Sequence, residues 1–211
     1  MSRSKNKLVM LSGMSSEAME RYRSLRAQLD RASGGDARIV AVASPKAGGG
    51  AAEMAANLAA AYAQSDRRTL LVDGDFNAPL IHQFFGLSNW TGLSSIIDAS
   101  SEAGEVDVVH RDVIANLDVL TAGPRLPYSK DFVGAFPLQL LFDSWRQQYD
   151  QICLAVPSLM SSADAQLMTA ACDGVLLVIR SGQVDDKEAV RVKRLLALLE
   201  VPTLGVALAH G

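Results

Sequence analysis

The sequence is poor in aromatic residues and contains no long apolar run. Phe, Trp and Tyr together make up 6% of its 211 residues, which is little for an aromatic-rich β-sandwich, whereas Ala, Leu, Val and Gly are abundant. This composition favours helices packed closely on a parallel sheet. No segment approaches the roughly 18 apolar residues that a membrane-spanning helix needs. We therefore expect one large α/β domain and not an integral membrane protein.

Cysteine and histidine are also scarce. The two cysteines, Cys153 and Cys172, lie in or beside apolar segments without the spacing of metal ligands, so they are predicted to be buried thiols. The three histidines, His82, His110 and His210, have no partner at a catalytic or metal-binding spacing. The sequence therefore predicts neither a metal site nor a disulfide.

Charge is nearly balanced overall but unevenly distributed. The formal net charge of −3 argues against a general nucleic-acid-binding protein, yet residues 1–31 carry seven Lys or Arg against three Asp or Glu. Such a basic segment is either a solvated tail and helix, or a surface for a membrane or an acidic partner. No signal peptide is recognised at the start, so a cytoplasmic protein is expected.

Hydrophobic periodicity predicts strands that alternate with helices along the chain, which is typical of βαβ units and a mostly parallel, doubly wound sheet with helices on both faces. Residues 1–32 are predicted to form a basic tail and an N-terminal helix, and residues 33–211 one domain. Residues 100–116 are interpreted as a polar loop. Strands are expected at 38–44, 69–75, 117–123, 151–156, 174–180 and 203–208, and helices at 15–31, 51–65, 79–85, 93–99, 137–149, 163–172 and 186–199.

Ligands of such sheets bind outside the carboxyl ends of the strands, here at the loops after Ser44, Val72 and Val156. The first loop is rich in glycine and leads into a helix, an arrangement whose backbone amides hold phosphates. For the glycines alone, a tight strand-to-helix turn is the alternative interpretation. The candidate phosphate-binding residues are Lys46, Gly48, Gly49 and Gly50.

Five blocks of sequence, in the same order, resemble the bacterial tyrosine kinases of capsule and exopolysaccharide synthesis, the CpsD/CapB type, which are relatives of the MinD/ParA P-loop ATPases. The resemblance covers nearly the whole chain and implies a P-loop NTPase-like fold. The blocks are EAMERYRSLRAQL (17–29), the glycine-rich loop and its helix (44–64), a Walker A′-like segment (70–98), a Gly-Pro loop (117–127) and a Walker B-like segment (149–182).

The chain departs from this family at positions that carry the chemistry. A working loop needs a lysine to neutralise the phosphates and a hydroxyl to hold magnesium, and both are replaced by alanine here. The Walker B carboxylate and the Walker A′ arginine are also missing, whereas the Walker A′ acids Asp73 and Asp75 are retained. The substituted positions are Ala51, Ala52, Asn77 and Ala155, together with Ala209 where the family has an adenine-contacting asparagine.

These losses predict a pseudokinase with no catalytic residue, no metal site and at most weak, vestigial binding of ATP or ADP. Lys46 occupies the place of the extra lysine of MinD/ParA loops, which in that family reaches a phosphate across a dimer; the alternative is an exposed loop lysine. Glu53 is expected near the third helical position, where its carboxylate can bond back to the amide of Gly50. We hypothesise that this carboxylate takes over some of the anion-binding capacity of the loop. The four tyrosines are scattered and form no C-terminal cluster.

Glu20, Arg23 and Arg26 match the Glu-x-x-Arg-x-x-Arg pattern by which members of the family self-associate. The resemblance therefore implies that they join subunits of a homo-oligomer. The alternative is an ion ladder within the helix, worth a few tenths of a kcal/mol.

The sequence thus predicts a non-catalytic assembly or regulatory subunit of exopolysaccharide or capsule synthesis. The resemblance implies two kinds of partner, the cytoplasmic tail of a membrane polysaccharide co-polymerase and an active kinase paralogue. The protein is expected in the cytoplasm, peripheral at the inner membrane, with membrane contact only through its partner and no nucleic-acid partner. One alternative is an active ATP-dependent tyrosine autokinase, and another is a MinD/ParA-like positioning ATPase.

Overall fold

A computed structural model describes residues 8–11, 17–99, 108–125 and 132–209. Its strands form one seven-stranded sheet, flanked by eight described α-helices and a short 3-10 helix at Val9–Leu11. The strands are Ile39–Ala43 (β1), Thr69–Asp73 (β2), His110–Ile114 (β3), Leu117–Leu120 (β4), Gln151–Ala155 (β5), Gly174–Arg180 (β6) and Thr203–Ala209 (β7). The helices are Glu17–Ala32 (α1), Ala51–Ala63 (α2), Ile81–Phe85 (α3), Leu93–Ala99 (α4), Phe132–Ala135 (α5), Leu138–Gln148 (α6), Ala163–Ala170 (α7) and Asp186–Leu198 (α8).

The strand order is β3-β4-β2-β5-β1-β6-β7, and every neighbouring pair is parallel except β3 with β4. β1 lies inside the sheet between β5 and β6 and is buried along its whole length. Its continuous apolar sequence, IVAVA, is typical of a parallel strand covered on both faces. The predicted mostly parallel α/β architecture is therefore confirmed.

The alternation of side chains along β1 shows that both faces of the sheet carry a core. Ile39, Ala41 and Ala43 pack into one apolar cluster with residues of α6, α7 and α8. Val40 and Val42 point to the other face and pack with residues of α1, α2 and α3. This is the doubly wound arrangement that the sequence predicts.

The largest difference from the predicted elements is β3, which occupies part of the expected polar loop at 100–116. Its residues are half-buried or exposed, because it is an edge strand paired on one side only, antiparallel to β4. The strand bends at Asp112, where φ is 50° and the amide donates to the Asp118 carboxylate at 2.8 Å. The short helix α5 and the 3-10 helix were not predicted, and the predicted start of α1 at residues 15–16 lies outside the described residues.

The start of the described chain packs against the domain. Leu8 and Met10 are 3% and 2% exposed. The Met10 amide donates to the Asn57 side chain at 3.1 Å, and Gln64 donates to the Met10 carbonyl at 2.9 Å. Residues 8–11 are therefore part of the folded body and not a solvated tail.

A half-buried polar contact fastens α1 to the same face. Arg67, which precedes β2, makes two hydrogen bonds of 2.9 Å to the two carboxylate oxygens of Asp30. The hydroxyl of Tyr62 donates to Asp30 at 3.3 Å, and Leu29 is 2% exposed in the core. Helix α1 therefore packs on the sheet domain across the predicted boundary at residues 32 and 33.

Both cysteines are buried and unpaired, as predicted, and burial raises the pKa of each thiol. His110 lies on β3 with Nε2 3.2 Å from the Ser88 carbonyl oxygen, and His210 lies outside the described residues. Among the residues that the structure describes, no three His, Cys, Asp or Glu side chains are grouped so that they could hold a metal ion. None of the described helices combines the length and the apolar character that a membrane span requires.

Candidate functional site

The carboxyl ends of β1, β2, β5 and β6 surround a cavity of about 270 Å³. The loops after Ser44, Val72 and Val156 meet there, as the sequence predicts. Arg180, at the end of β6, adds a fourth wall. Asp73, Asp75, Ala155 and residues 46–53 also line the cavity.

The glycine-rich loop presents a row of free amides to this cavity. Gly48 and Gly50 adopt left-handed φ values of 73° and 91°, and Gly50 caps α2. The first helical hydrogen bond runs from the Met54 amide to the Gly50 carbonyl at 2.9 Å. The amides of residues 48–53 donate to no acceptor in the described chain. Successive unpaired amides at a helix N-terminus form a concave site for anions.

The loop turns directly over the end of β1. Ser44 is 3% exposed, and its hydroxyl has no hydrogen-bond partner in the described chain. A Cβ atom on Gly49 would lie 2.5 Å from the Oγ of Ser44, so only glycine fits here. The close approach leaves a buried, unsatisfied hydroxyl beneath the free amides.

The alanines that the sequence resemblance aligns with the family's catalytic positions lie at this site. Ala51 and Ala52 form the first turn of α2 and pack against the apolar cluster beneath it. Ala155 is 2% exposed and pairs in register with Asp73. At these three positions the cavity is lined by methyl groups, which supply no charge to a phosphate and no ligand to magnesium.

Asp73, one of the two retained acids, holds the polypeptide between β2 and α3. Its Oδ2 accepts from the amides of Leu80 and Ile81, both at 3.0 Å, and its Oδ1 accepts from the Asp75 amide at 3.2 Å. Burial raises the pKa of the Asp73 carboxyl to about 6, although these three hydrogen bonds act in the opposite direction. Asp73 therefore serves as a buried anchor for the start of α3.

Asp75 shapes the same loop from a more exposed position. Its Oδ1 accepts from the amides of Asn77, at 3.0 Å, and Ala78, at 2.9 Å. Asn77, which the sequence resemblance aligns with an arginine of the family, contributes its amide to this turn. Both retained acids therefore have structural bonds, and both still line the cavity.

Lys46, the candidate extra lysine of the loop, is paired within the chain. Its ammonium nitrogen lies 2.6 Å from the Oε1 of Glu188. Glu188 also takes part in a reciprocal capping box with Asp185 at the start of α8, and the hydrogen bond from Lys46 lowers the pKa of its carboxyl. The loop is thus tied to α8, and contact of Lys46 with a phosphate across a dimer stays a prediction.

The bond expected from the Glu53 carboxylate to the Gly50 amide is not formed in the described chain. Burial and then the nearby Glu53 carboxylate raise the pKa of the Tyr22 hydroxyl to about 12. Glu53 therefore lies close enough to α1 to act on Tyr22. The hypothesis that this carboxylate takes over some of the anion-binding capacity of the loop is wrong in its geometry, because the Gly50 amide makes no bond to it.

The sequence did not single out Arg180. Its guanidinium lies beside the loop, with Nη2 3.9 Å from the place of a Cβ atom on Gly50, and the methyl group of Ala209 is 4.0 Å from the same place. The Nε of Arg180 is buried and has no acceptor among the described residues. One sequence feature could have identified Arg180. It is the single basic residue at the end of the apolar strand GVLLVIR, at the edge of the sheet where ligands bind.

The proposed oligomerisation residues lie on α1, outside the lining of the cavity. Glu20 and Arg23 form an exposed ion pair with each other. Arg26 turns toward α2, where its Nη1 lies 3.5 Å from the Ala61 carbonyl oxygen, and its Nε is buried without an acceptor in the described chain. The internal pairing of the alternative interpretation is present for Glu20 and Arg23, and self-association through this motif stays a prediction.

A mostly parallel sheet, a glycine loop between β1 and α2, and acids after β2 define a P-loop NTPase-like protein. The cell division ATPase MinD of Pyrococcus furiosus has this fold, with a TM-score of 0.67 and 23% identity over 82% of this chain and 71% of that chain. This likeness concerns the fold alone.

The chain is more similar to bacterial tyrosine kinases. It is 32% identical to the tyrosine-protein kinase YwqD of Bacillus subtilis over 201 residues, which cover 91% of this chain and 80% of that protein. The crystal structure of the chimerical protein CapA2B2 matches it with a TM-score of 0.87 and 30% identity, over 96% of this chain and 89% of that chain. The chain therefore belongs to the bacterial tyrosine-kinase family, as its sequence resemblance implied.

A longer relative connects this family with polysaccharide transport. The succinoglycan biosynthesis transport protein ExoP of Rhizobium meliloti is 27% identical over 191 residues, which cover 90% of this chain and 24% of that protein. No protein-family model matches the chain.

Proposed function

We propose that this protein is a non-catalytic, tyrosine-kinase-like subunit of exopolysaccharide or capsule synthesis. The observation that carries the proposal is the methyl lining at Ala51, Ala52 and Ala155. Phosphoryl transfer depends almost entirely on positioned cations. Here the phosphate-binding lysine, the magnesium-binding hydroxyl and the Walker B carboxylate are absent together.

An active autokinase is the second candidate. Membership of the kinase family is equally consistent with either function, and the retained Asp73 and Asp75 favour the autokinase. Incubation of the purified chain with radiolabelled ATP and Mg²⁺ separates the two. We expect no phosphotyrosine on the wild type. Incorporation of label that is lost on treatment with a tyrosine phosphatase would establish the autokinase instead.

The chain offers its own positive control. Ala51→Lys with Ala52→Ser restores the loop cation and hydroxyl, and Ala155→Asp adds the third group. The restored variants are expected to bind Mg·ATP more tightly than the wild type in calorimetry, by about ten- to a hundredfold for each charge-assisted hydrogen bond regained. Tighter Mg·ATP binding in the variant than in the wild type would attribute the difference to these positions.

The proposed role is assembly at the cytoplasmic side of the inner membrane, with membrane contact through a partner. The partner proposed is the cytoplasmic tail of a polysaccharide co-polymerase or an active kinase paralogue, and the likeness to ExoP supports a connection with polysaccharide transport. Deletion of the gene is expected to lower the yield or chain length of a surface polysaccharide. Complementation by the wild type, and equally by Asp75→Asn, would indicate that assembly and not catalysis is required.

We further propose that α1 joins subunits through Glu20, Arg23 and Arg26. Arg23→Glu tests this by light scattering, because Arg23 is exposed and its change leaves the core untouched. Arg21→Glu is the matched control, since Arg21 is an exposed residue of the same helix paired with Glu17. A lower oligomer mass for Arg23→Glu alone is expected, whereas equal masses for both variants and the wild type would refute the interface.

A positioning ATPase of the MinD/ParA type is less well supported. Its specific sequence feature is Lys46, and the ion pair between Lys46 and Glu188 directs that side chain toward α8 of the same chain.

A further inference from the structure

The glycine-rich loop retains its hydrogen-bond donors although its catalytic side chains are lost. The amides of residues 48–53 have no acceptor in the described chain, and the hydroxyl of Ser44 lies unpaired beneath them. Ser44 is 3% exposed, so water has little access to its hydroxyl. Buried polar groups normally have partners, and a cluster of unpaired donors at a helix N-terminus indicates that an anion completes the site.

Arg180 supplies positive charge at the same place. Two cationic side chains line the cavity, Lys46 and Arg180. Lys46 is paired with Glu188, whereas the guanidinium of Arg180 has no acceptor within the described chain and its Nε is buried. A partly buried cation without an anion is destabilising, and its position beside Gly50 directs it to a group bound by the loop.

We propose that Arg180 is the counter-charge of a metal-independent site, formed by the amides of residues 48–53, for the phosphate groups of a diphosphate. Guanidinium groups suit phosphate, because their planar N–H donors match two phosphate oxygens at once. Arg180 thereby takes the electrostatic place left by the alanine at position 51, from the neighbouring strand β6.

Independence from a divalent metal follows from the residues that are present. Position 52 has no hydroxyl and position 155 has no carboxylate. The two carboxylate oxygens of Asp73 accept three backbone hydrogen bonds between them. Few oxygen ligands therefore remain for magnesium, which prefers six-coordinate oxygen geometry.

Three acidic side chains also line this cavity and border the proposed site. Glu53 lies near Tyr22 on α1, Asp73 anchors α3, and Asp75 holds the turn at residues 77 and 78. The cavity of about 270 Å³ is slightly below the roughly 300–1,000 Å³ of ordinary ligand pockets. This size suits a diphosphate group, either as inorganic pyrophosphate or as part of a nucleoside diphosphate.

The proposal rests on the proposed function in one respect, since it takes the site to bind without transferring phosphate. The test therefore measures binding alone, by isothermal titration of pyrophosphate and of ADP into the full chain, in EDTA and in Mg²⁺. We expect both ligands to bind in EDTA. Arg180→Gln is expected to weaken binding by about ten- to a hundredfold, and Arg180→Lys by less.

Arg191→Gln is the matched control, because Arg191 is an exposed arginine on α8 outside the lining of this cavity. It is expected to bind as the wild type does. Thermal unfolding of each variant separates lost binding from lost folding, and the charge-conserving Arg180→Lys provides a second variant.

Equal affinities for pyrophosphate and ADP would identify the diphosphate as the recognised group, and tighter binding of ADP would identify a nucleotide; both outcomes support the site. No binding in EDTA, a strict requirement for Mg²⁺, or equal affinities for wild type and Arg180→Gln would overturn it. These outcomes are separate from that of the labelling experiment, because a chain that transfers phosphate refutes the non-catalytic role whatever Arg180 does.

Discussion

The ammonium nitrogen of Lys46 lies 2.6 Å from the Oε1 of Glu188, so the glycine-rich loop and the first turn of α8 are joined by an ion pair within one chain. The other carboxylate oxygen of Glu188 accepts from the Asp185 amide at 3.2 Å. One side chain thus completes the helix cap and pairs with the loop lysine.

Glu188→Gln is expected to release Lys46 while keeping the cap, since an amide oxygen can still accept from Asp185. The freed lysine adds positive charge beside the loop, so the affinity for pyrophosphate in EDTA should rise a few-fold. Calorimetry of the variant beside the wild type measures this. Glu200→Gln, a change of equal charge at an exposed position beyond the end of α8, is the control. An unchanged affinity in Glu188→Gln would show that the ion pair does not restrain Lys46.

The buried Asp73 predicts a defined dependence of stability on pH. Its pKa is raised to about 6 in the folded protein, compared with about 4 in an unfolded chain. The folded state therefore holds a proton that the unfolded state has released between pH 4 and pH 6, and stability is lost as the pH rises through this range. As the pH rises from 4 to 6, the free energy of unfolding of the wild type should fall by up to about 3 kcal/mol relative to that of Asp73→Asn.

Urea unfolding of both proteins at intervals from pH 4 to pH 7 measures that difference. It should change mainly below pH 6 and level off above it. Parallel curves for the two proteins would contradict the raised pKa.

The close approach of two loops predicts that Gly92 cannot be replaced. A Cβ atom at this position would lie 2.2 Å from the Thr121 carbonyl oxygen and 2.4 Å from the Gly123 amide nitrogen. Gly92→Ala is therefore expected to lower the free energy of unfolding by about 2–3 kcal/mol. Gly86→Ala, where φ is 67° and nothing lies within 4 Å, should cost only the backbone strain of about 1 kcal/mol. Equal losses in urea unfolding would exclude the steric explanation.

The bidentate contact between Asp30 and Arg67 is expected to stabilise the packing of α1 on the rest of the domain. Asp30→Asn removes the carboxylate charge and leaves one amide oxygen to accept from the Arg67 guanidinium, and we expect a loss of about 1 kcal/mol in the free energy of unfolding. Glu17→Gln removes the exposed pair with Arg21 on the same helix and is expected to have almost no effect. The two variants are compared by urea unfolding at low salt. A loss of equal size for both would show that the Asp30 contact is no stronger than a surface pair.

Much of the fold could be predicted because the buried strands carry their own signal. The continuous apolar runs of β1 and β6 identify parallel strands, and the loops at their carboxyl ends locate the site. The edge strand β3 could not be predicted in this way, because it is half-exposed and owes its conformation to pairing with β4 and to the left-handed residue Asp112.

The site was predicted only in part, for a related reason. The resemblance to kinases directs attention to positions where the family has functional side chains, and Ala51 and Ala155 do lie at the cavity. Arg180 belongs to another strand and approaches the loop only in three dimensions. The partner of Lys46 likewise comes from α8, and the Glu53 carboxylate lies near Tyr22 of α1, at separations along the chain that no local pattern reports.

The row of unpaired amides at residues 48–53 also bears on how such a protein evolves. These donors belong to the main chain, so exchanges of side chains leave them in place as long as the glycines permit the turn. A chain that has lost a catalytic lysine and a magnesium ligand, as we propose for this one, therefore keeps its main-chain donors for anions. Natural selection then acts on a capacity to bind that survives the loss of the reaction.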